Sequence, residues 1–202
     1  MRIGIFGGTF NPVHNGHLLL AENARVAFNL DRVIFVPAGL PPHKPKKGVA
    51  DNSHRLKMLK LAVFPNKYFS IGEYEIKKNT PSYTYDTIEH FKKIYPAPKH
   101  KIYFIAGDDV LSQIKTWKYG EKILERCDFI VGIRTPCGVR AAGAVAAKPV
   151  AVRTRRNVRV FAMPYLNVSS TFIRSEIRKN KSVLYLLPDS VIEYIRKNGL
   201  YI

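Results

Sequence analysis

The chain has 202 residues, 46% of them hydrophobic, and carries 33 lysines and arginines against 15 acids, a formal net charge of +18. That length and apolar content can bury a full core of one domain or slightly more. No run stays apolar for the roughly 18 residues a membrane helix requires. The positive excess points to anionic partners such as nucleotides, polyphosphates, nucleic acid or a membrane surface, without choosing among them.

Met1-Arg2-Ile3-Gly4-Ile5-Phe6 runs straight into glycines. It lacks the charged start, long apolar run and small-residue cleavage site of a secretory signal, so the expected location is the cytoplasm. Cys127 and Cys137 are too few for a disulfide framework and show no CxxC spacing. They read as reduced thiols, one of them in a strand core.

Arg2–Phe6 reads as a short apolar strand. Helical spacing follows over Gly16–Leu30, with Leu18, Leu19, Ala21, Ala24, Ala27 and Phe28 apolar. Arg32–Pro37 is a second buried strand, and 37–51, rich in Pro, Gly and Lys, is a loop. Asp51 or Ser53 can cap a helix through about Val63, with Leu56, Leu59 and Leu61 apolar. Tyr68–Ile76 is strand-like, Ser82–Tyr95 helical, and Lys101–Ala106 a buried strand ending in Gly107. A short helix leads to a strand over Phe129–Ile133, and another strand spans Val158–Ala162. Helices near Ser170–Lys179 and Asp189–Lys197 close the chain. Thr135–Asn157 holds Arg140, Lys148, Arg153, Arg155 and Arg156 and no acid. Without a clear period, it reads as a variable surface insertion or mobile loop.

Continuous apolar strands separated by helices predict an α/β fold: a doubly wound parallel sheet with helices on both faces and a helical C-terminal part, all one domain. Ligands of such sheets sit beyond the carboxyl ends of the strands, where the strand order switches. The motifs that carry chemistry follow the strands ending at Phe6, Val36, Ala106 and Ala162.

The first is Gly7-Gly8-Thr9-Phe10-Asn11-Pro12-Val13-His14-Asn15-Gly16-His17. Glycines let the backbone approach a phosphate. Asn15-Gly16 opens a helix whose first amides attract anions. His14 and His17 bracket that start, and imidazole can donate to phosphate oxygens or carry charge near neutral pH. The string is neither a Walker loop nor the GxGxxG fingerprint. No third or fourth ligand stands at a zinc-like spacing from the two histidines. The second is Val168-Ser169-Ser170-Thr171-Phe172-Ile173-Arg174. Its hydroxyls and free amides make a second anion site, with Arg174 in the first turn. Pro41-Pro42-His43-Lys44 stiffens a loop and presents Lys44. Gly107-Asp108-Asp109 places a carboxylate at a strand end, suited to ribose hydroxyls. Trp117 is the only tryptophan. Pro81-Ser82-Tyr83-Thr84-Tyr85-Asp86-Thr87 is a capped helix start with aromatics. Pro188-Asp189 opens the last helix and Gly199 stops it, which assigns that segment to packing.

The first string resembles the (H/T)xGH nucleotidyltransferase superfamily, and GGTFNPVHNGH is similar to its nicotinate-nucleotide adenylyltransferase branch. The resemblance spans the chain apart from Thr135–Asn157. It implies a Rossmann-like sheet and transfer of a nucleotidyl group to a phosphate with release of pyrophosphate. It makes His14 and His17 catalytic, touching the ATP phosphates, with His17 stabilising charge on the α-phosphate. Gly7, Gly8, Thr9 and Phe10 would line ATP, and so would Gly107 and Asp109, matching the family's GxD. Ser169, Ser170, Thr171 and Arg174 match ISSTxIR, which grips the β- and γ-phosphates; Val168 replaces the first isoleucine. Lys44 matches the phosphate-binding lysine of PxHK. Tyr83 and Thr84 match SYTxDT, which lies against the nicotinate carboxylate, and Trp117 would stack on the pyridine ring.

The reaction so implied is adenylyl transfer from ATP to nicotinate mononucleotide. The acceptor phosphate is already a nucleophile, so alignment and charge stabilisation suffice. Mg²⁺ is expected with the triphosphate, without a protein-held metal cluster. No membrane or obligate nucleic-acid partner is implied, and a homo-oligomer stays open. The rivals are nicotinamide-mononucleotide and phosphopantetheine adenylyltransferases, the latter typically lacking SYTxDT and the terminal LPDxVxxYI pattern. More remote is a nucleic-acid-binding module using the basic surface, which lacks an RNA-recognition or helix-turn-helix signature.

Overall fold

A computed structural model describes residues 1–39, 48–78, 80–81, 83–108, 110, 113–135, 152–155, 157–164 and 166–202, giving the backbone alone at 115, 134–135 and 152–155. Lys44 and Asp109 lie outside the described residues, as do 136–151 of the basic stretch. Among the described residues, seven strands form one sheet in the order β3-β2-β1-β4-β5-β7-β6. They are β1 (Arg2–Gly8), β2 (Arg32–Pro37), β3 (Phe69–Ile71), β4 (Lys101–Gly107), β5 (Asp128–Thr135), β6 (Val152–Arg155) and β7 (Val158–Pro164). The helices are α1 (Asn15–Ala27), α2 (Asn52–Val63), α3 (Thr84–Ile94), α4 (Gly120–Arg126), α5 (Ser170–Arg178) and α6 (Asp189–Lys197), with a 3₁₀ turn at Ile114–Thr116.

The strand order follows from two-sided burial. In β1, Ile3 and Ile5 enter one core and Phe6 the other. In β2, Ile34 and Val36 face Ile3, while Val33 and Phe35 face away. In β4, Phe104 and Ala106 alternate with Tyr103 and Ile105. Strands covered on both faces favour parallel pairing through helical crossovers. β1 pairs in parallel with both β2 and β4. The chain winds outward through β2 and β3, then returns past β1 to β4 and beyond. The carboxyl ends of β1 and β4 therefore meet at the switch point, where a crevice opens. Gly8 and Gly107 are the last residues of those two strands.

Three local readings change. The strand expected over Tyr68–Ile76 holds only for Phe69–Ile71. A Cβ on Gly72 would sit 2.6 Å from the Phe91 ring, and the chain turns there, with Lys77 N–H bonding the Glu73 carbonyl. The turn brings Glu75 under α3, where Thr87 donates to its carboxylate. The face of α2 set by Leu56, Leu59 and Leu61 is rotated: Arg55, Met58, Leu59, Ala62 and Val63 are the buried residues. Finally, both ends of the Thr135–Asn157 stretch belong to the sheet. Thr135 ends β5, and Val152–Arg155 pairs antiparallel with β7 as an edge strand. Its Val-Arg-Thr-Arg alternation is the period of a half-exposed strand, and edge positions favour charge. α1 stops as expected near Leu30, with Asn29 in the left-handed region and the Leu30 N–H closing on the Arg25 carbonyl.

Candidate active site

The loop between β1 and α1 descends into the core before it reaches the histidines. Phe10 holds a left-handed backbone (φ 48) and is 1% exposed. A bulky residue there is strained by about 1–3 kcal/mol. The turn drives its ring beneath His17, edge-on at 5.0 Å, and against Phe6 and Phe35. Phe10 was expected to line ATP. Its side chain is instead a core residue, so only its backbone can face a ligand.

His14 and His17 stack on each other, with ring centroids 3.6 Å apart at 25°. The His14 backbone N–H donates to His17 Nδ1 at 3.2 Å. A neutral His17 then carries its proton on Nε2. Burial pushes the His14 imidazole down to about 4, against a weaker opposing backbone hydrogen bond. At neutral pH His14 is therefore an uncharged ring, not the cation that its free pKa would allow. Its Nδ1 is buried, with no hydrogen-bond partner among the described residues.

Gly16 explains why nothing larger fits between the two histidines. A Cβ there would lie 2.8 Å from Val168 Cγ1 and 3.1 Å from His14 Nδ1. The start of α1 is thus packed against the residue that opens the second motif. Asn15 anchors it further: its side chain donates to the Tyr185 carbonyl (2.6 Å) and its N–H to that of Leu186 (2.9 Å).

The second motif docks on the first. Ser169 caps α5 by accepting from the Phe172 N–H at 3.1 Å. Ser170 Oγ donates to the Pro12 carbonyl (2.9 Å) and Arg174 Nη1 to that of Asn11 (2.8 Å). Arg174 Nη2 also reaches Thr171 Oγ1 at 3.3 Å. Two segments about 160 residues apart thereby share one surface. In it an N-capped helix start, His17 and the uncharged His14 ring gather at the carboxyl end of β1, a natural seat for phosphate.

One organising residue was missed in the sequence. Arg55 is fully buried and binds the carbonyls of Thr9 (2.7 Å), Ala38 (2.6 Å) and Ala50 (3.2 Å). Burial lowers its affinity for a proton, offset in part by Tyr201 and Glu75. The guanidinium stays charged at neutral pH. It ties the loop after β1 to the loop after β2, which leads toward Lys44. Where those loops meet, Gly39 is pressed so close to the chain at Glu75 that a Cβ would stand 2.2 Å from the Glu75 carbonyl oxygen. The readable signal was an arginine at i of an i, i+3, i+4, i+7, i+8 apolar stripe.

A second group gathers where α3 begins and β4 ends. Helices in such crossovers start at the carboxyl edge of the sheet, so Tyr83 and Thr84 lie on the same edge as Gly8 and Gly107. Lys118 Nζ stands 4.3 Å over the Tyr83 ring, and Tyr85 meets Tyr119 at 5.2 Å. A shallow cavity of about 280 Å³ lies beside them, lined by Tyr85, Asp86, Tyr119 and Lys122. Trp117 is half-buried, edge-on to Phe104 at 6.4 Å. Among the described residues no group of three or more His, Cys, Asp or Glu could hold a metal ion. No helix among them is long and apolar enough to cross a membrane.

This sheet and edge define a nucleotide-handling α/β protein. The cytidylyltransferase-like family model matches residues 5–176. A probable nicotinate-nucleotide adenylyltransferase of Moorella thermoacetica is 43% identical over 201 residues, covering 99% of this chain and 91% of that protein. Another from Thermoanaerobacter sp. is 42% identical over 203 residues, covering 100% and 94%. In fold, the chain is similar to Plasmodium falciparum nicotinic acid mononucleotide adenylyltransferase complexed with NaAD, with a TM-score of 0.74 at 20% identity, covering 99% and 97%. The chain belongs to the nicotinate-nucleotide adenylyltransferase family of cytidylyltransferase-like proteins.

Proposed function

We propose that the chain transfers the adenylyl group of ATP to nicotinate mononucleotide, giving nicotinate adenine dinucleotide and pyrophosphate. The observation that carries the reading is the docking of Ser170 and Arg174 onto the loop that ends in the stacked His14–His17 pair. Membership of the family supplies the acceptor. An oxygen of the acceptor phosphate attacks the α-phosphorus as the bond to the α,β-bridging oxygen breaks. Pyrophosphate leaves with that electron pair. The acceptor is already anionic, so no protein nucleophile or general base takes part.

His17 Nε2–H donates to the α-phosphate as charge builds in the transition state, and neutral His14 supports its ring from behind. Gly7, Gly8 and Thr9 let the phosphates approach the end of β1. Ser169, Ser170, Thr171 and Arg174 close on the β- and γ-phosphates, with Lys44 reaching from the loop after β2. Gly107 and Asp109 take the ribose. Tyr83, Thr84 and Trp117 hold the pyridine of the acceptor, beside the Lys118 cation. Mg²⁺ fits as a companion of the triphosphate, because the described groups at the phosphate end are imidazoles, hydroxyls, amides and the Arg174 guanidinium, with no carboxylate cluster among them. When bound it would draw charge off the phosphate oxygens. With this reading go a cytoplasmic location, where its nucleotide substrates are, and a single domain.

Pyrophosphate release from ATP tests the reading, with nicotinate mononucleotide, nicotinamide mononucleotide and phosphopantetheine as separate acceptors. The acid mononucleotide should turn over fastest. Faster release with either rival would replace the acceptor, and salt-sensitive RNA binding without release from any of them would replace the function.

A further inference from the structure

The loop that handles phosphate must not present its own negative ends to an anion. Four of its carbonyls are held by protein donors. Gly8 accepts from the Ala38 N–H (2.9 Å), Thr9 from Arg55 Nη1 (2.7 Å), Asn11 from Arg174 Nη1 (2.8 Å) and Pro12 from Ser170 Oγ (2.9 Å). Two of those donors are guanidiniums, and the phenol of Tyr201 lies near both.

Tyr201 reaches this place by a costly route. After α6, Gly199 (φ 57) and Tyr201 (φ 68) both take left-handed backbone, and the Leu200 N–H closes on the Ile195 carbonyl. Glycine adopts that conformation freely, whereas tyrosine is strained in it, and such strain concentrates at functional sites. The phenol then donates to Asn11 Oδ1 at 2.8 Å. The Asn11 amide is held on every side: Oδ1 also accepts from the Ala50 N–H (3.0 Å), and Nδ2 donates to the Gly48 carbonyl (2.9 Å). These three partners fix which end of the amide is oxygen. Burial raises the Tyr201 pKa far above its ordinary value, more than the two arginines lower it, so the phenol remains a neutral donor.

We propose that Tyr201 is a positioning residue for ATP: its hydroxyl locks the Asn11 side chain and so holds the phosphate-handling loop in the form whose carbonyls point at Arg55 and Arg174. The inference rests on the ATP-binding part of the proposed function and not on the identity of the acceptor. It also moves the end of the chain from packing alone to service of the site.

Tyr201→Phe tests it, because the ring and its packing stay while one hydrogen bond goes. ATP binding is measured by equilibrium titration without acceptor. Affinity should fall about fivefold, the usual worth of one buried hydrogen bond, while the KM of nicotinate mononucleotide stays unchanged. In an Asn11→Ala background the same change should have no further effect, since the double-mutant cycle reads coupling through that side chain. Unchanged ATP affinity in Tyr201→Phe would overturn the proposal, and so would a fivefold loss that persists in Asn11→Ala. A chain that binds ATP but does not turn over the acid mononucleotide sinks the acceptor assignment and leaves this cycle readable.

Discussion

The two halves of the proposed site are built by different means. On the ATP side, side chains from α2 and α5 hydrogen-bond the backbone of one loop, Tyr201 from the end of the chain bonds its Asn11 side chain, and Gly16 and Val168 leave no slack. On the acceptor side, Tyr83, Trp117 and Lys118 are held by ring and cation contacts at the start of α3 and beyond β4. Hydrogen bonds to a carbonyl fix direction, whereas ring contacts tolerate sliding. A rigid half suits the reacting phosphates, where misplacement by an ångström is costly. A softer half suits a planar ring that needs only a face and a counter-charge. Changes on the ATP side should therefore be the larger ones, felt in stability, turnover or ATP affinity. Changes on the acceptor side should be small and felt in selectivity.

The largest expected effect comes from His14. Its folded pKa, about 4, lies below its ordinary 6.5. As pH falls through that window the unfolded chain takes up a proton that the folded chain refuses. Stability is lost between about 6.5 and 4 and then levels off, by about 3 kcal/mol in full. Urea unfolding of the wild type and of His14→Gln across this range checks it: the variant's profile should be flatter. Parallel profiles would show that the ring is not buried as described.

His17→Ala comes next. Loss of one oriented donor to the α-phosphate should lower turnover on the order of 10²-fold. Steady-state kinetics with saturating ATP is the measurement, and an unchanged kcat would remove His17 from the chemistry.

Gly16→Ala should cost about 2 kcal/mol by overpacking. Its Cβ would meet Val168 and the His14 ring, so turnover should fall with stability. Thermal unfolding of Gly16→Ala with and without Val168→Ala separates the causes. The second change should restore part of the loss if Val168 is the obstacle.

How far this contrast was legible in the sequence depends on which interactions carry it. The strands of the switch point were readable because Ile3, Ile5, Ile34, Val36 and Phe104 on one face, and Phe6, Val33, Phe35 and Ile105 on the other, are buried and form apolar runs. The first and second motifs were readable as anion sites because a cap, a glycine and a helix start are local features. Their docking was not, since Ser170 to Pro12 and Arg174 to Asn11 are contacts across the whole chain. Arg55 was overlooked because arginine ordinarily lies in water, and only a count of helical spacing around it shows it on a buried stripe. Tyr201 reads as the tail of a packed helix, because nothing local reveals that two left-handed residues fold it back. The strand at Tyr68–Ile76 was drawn too long because Gly72 looks tolerable in an edge strand until the Phe91 ring is placed over it. The aromatic residues of the acceptor side were the least informative of all. Tyr83 and Trp117 would be equally at home in a core, and no local pattern shows that Lys118 comes to stand over the Tyr83 ring while Trp117 packs on Phe104.

Lys118 gives the smallest predicted effect and the sharpest test of the softer half. Its ammonium stands 4.3 Å over the Tyr83 ring, next in sequence to Trp117, and the residue is exposed. An exposed charge is screened, so its pull on a carboxylate is worth well under 1 kcal/mol. Lys118→Gln should therefore raise the KM for nicotinate mononucleotide only about threefold, with kcat unchanged. The amide mononucleotide carries no such charge, and its KM should not move. The ratio of kcat/KM for the two acceptors isolates this effect from any general loss. Raising ionic strength should shrink the wild-type ratio toward that of the variant, because salt screens an exposed cation but not a ring contact. If both acceptors weaken alike, Lys118 shapes the pocket through the Tyr83 ring instead of reading charge, and the acceptor side would then be as geometrically determined as the ATP side.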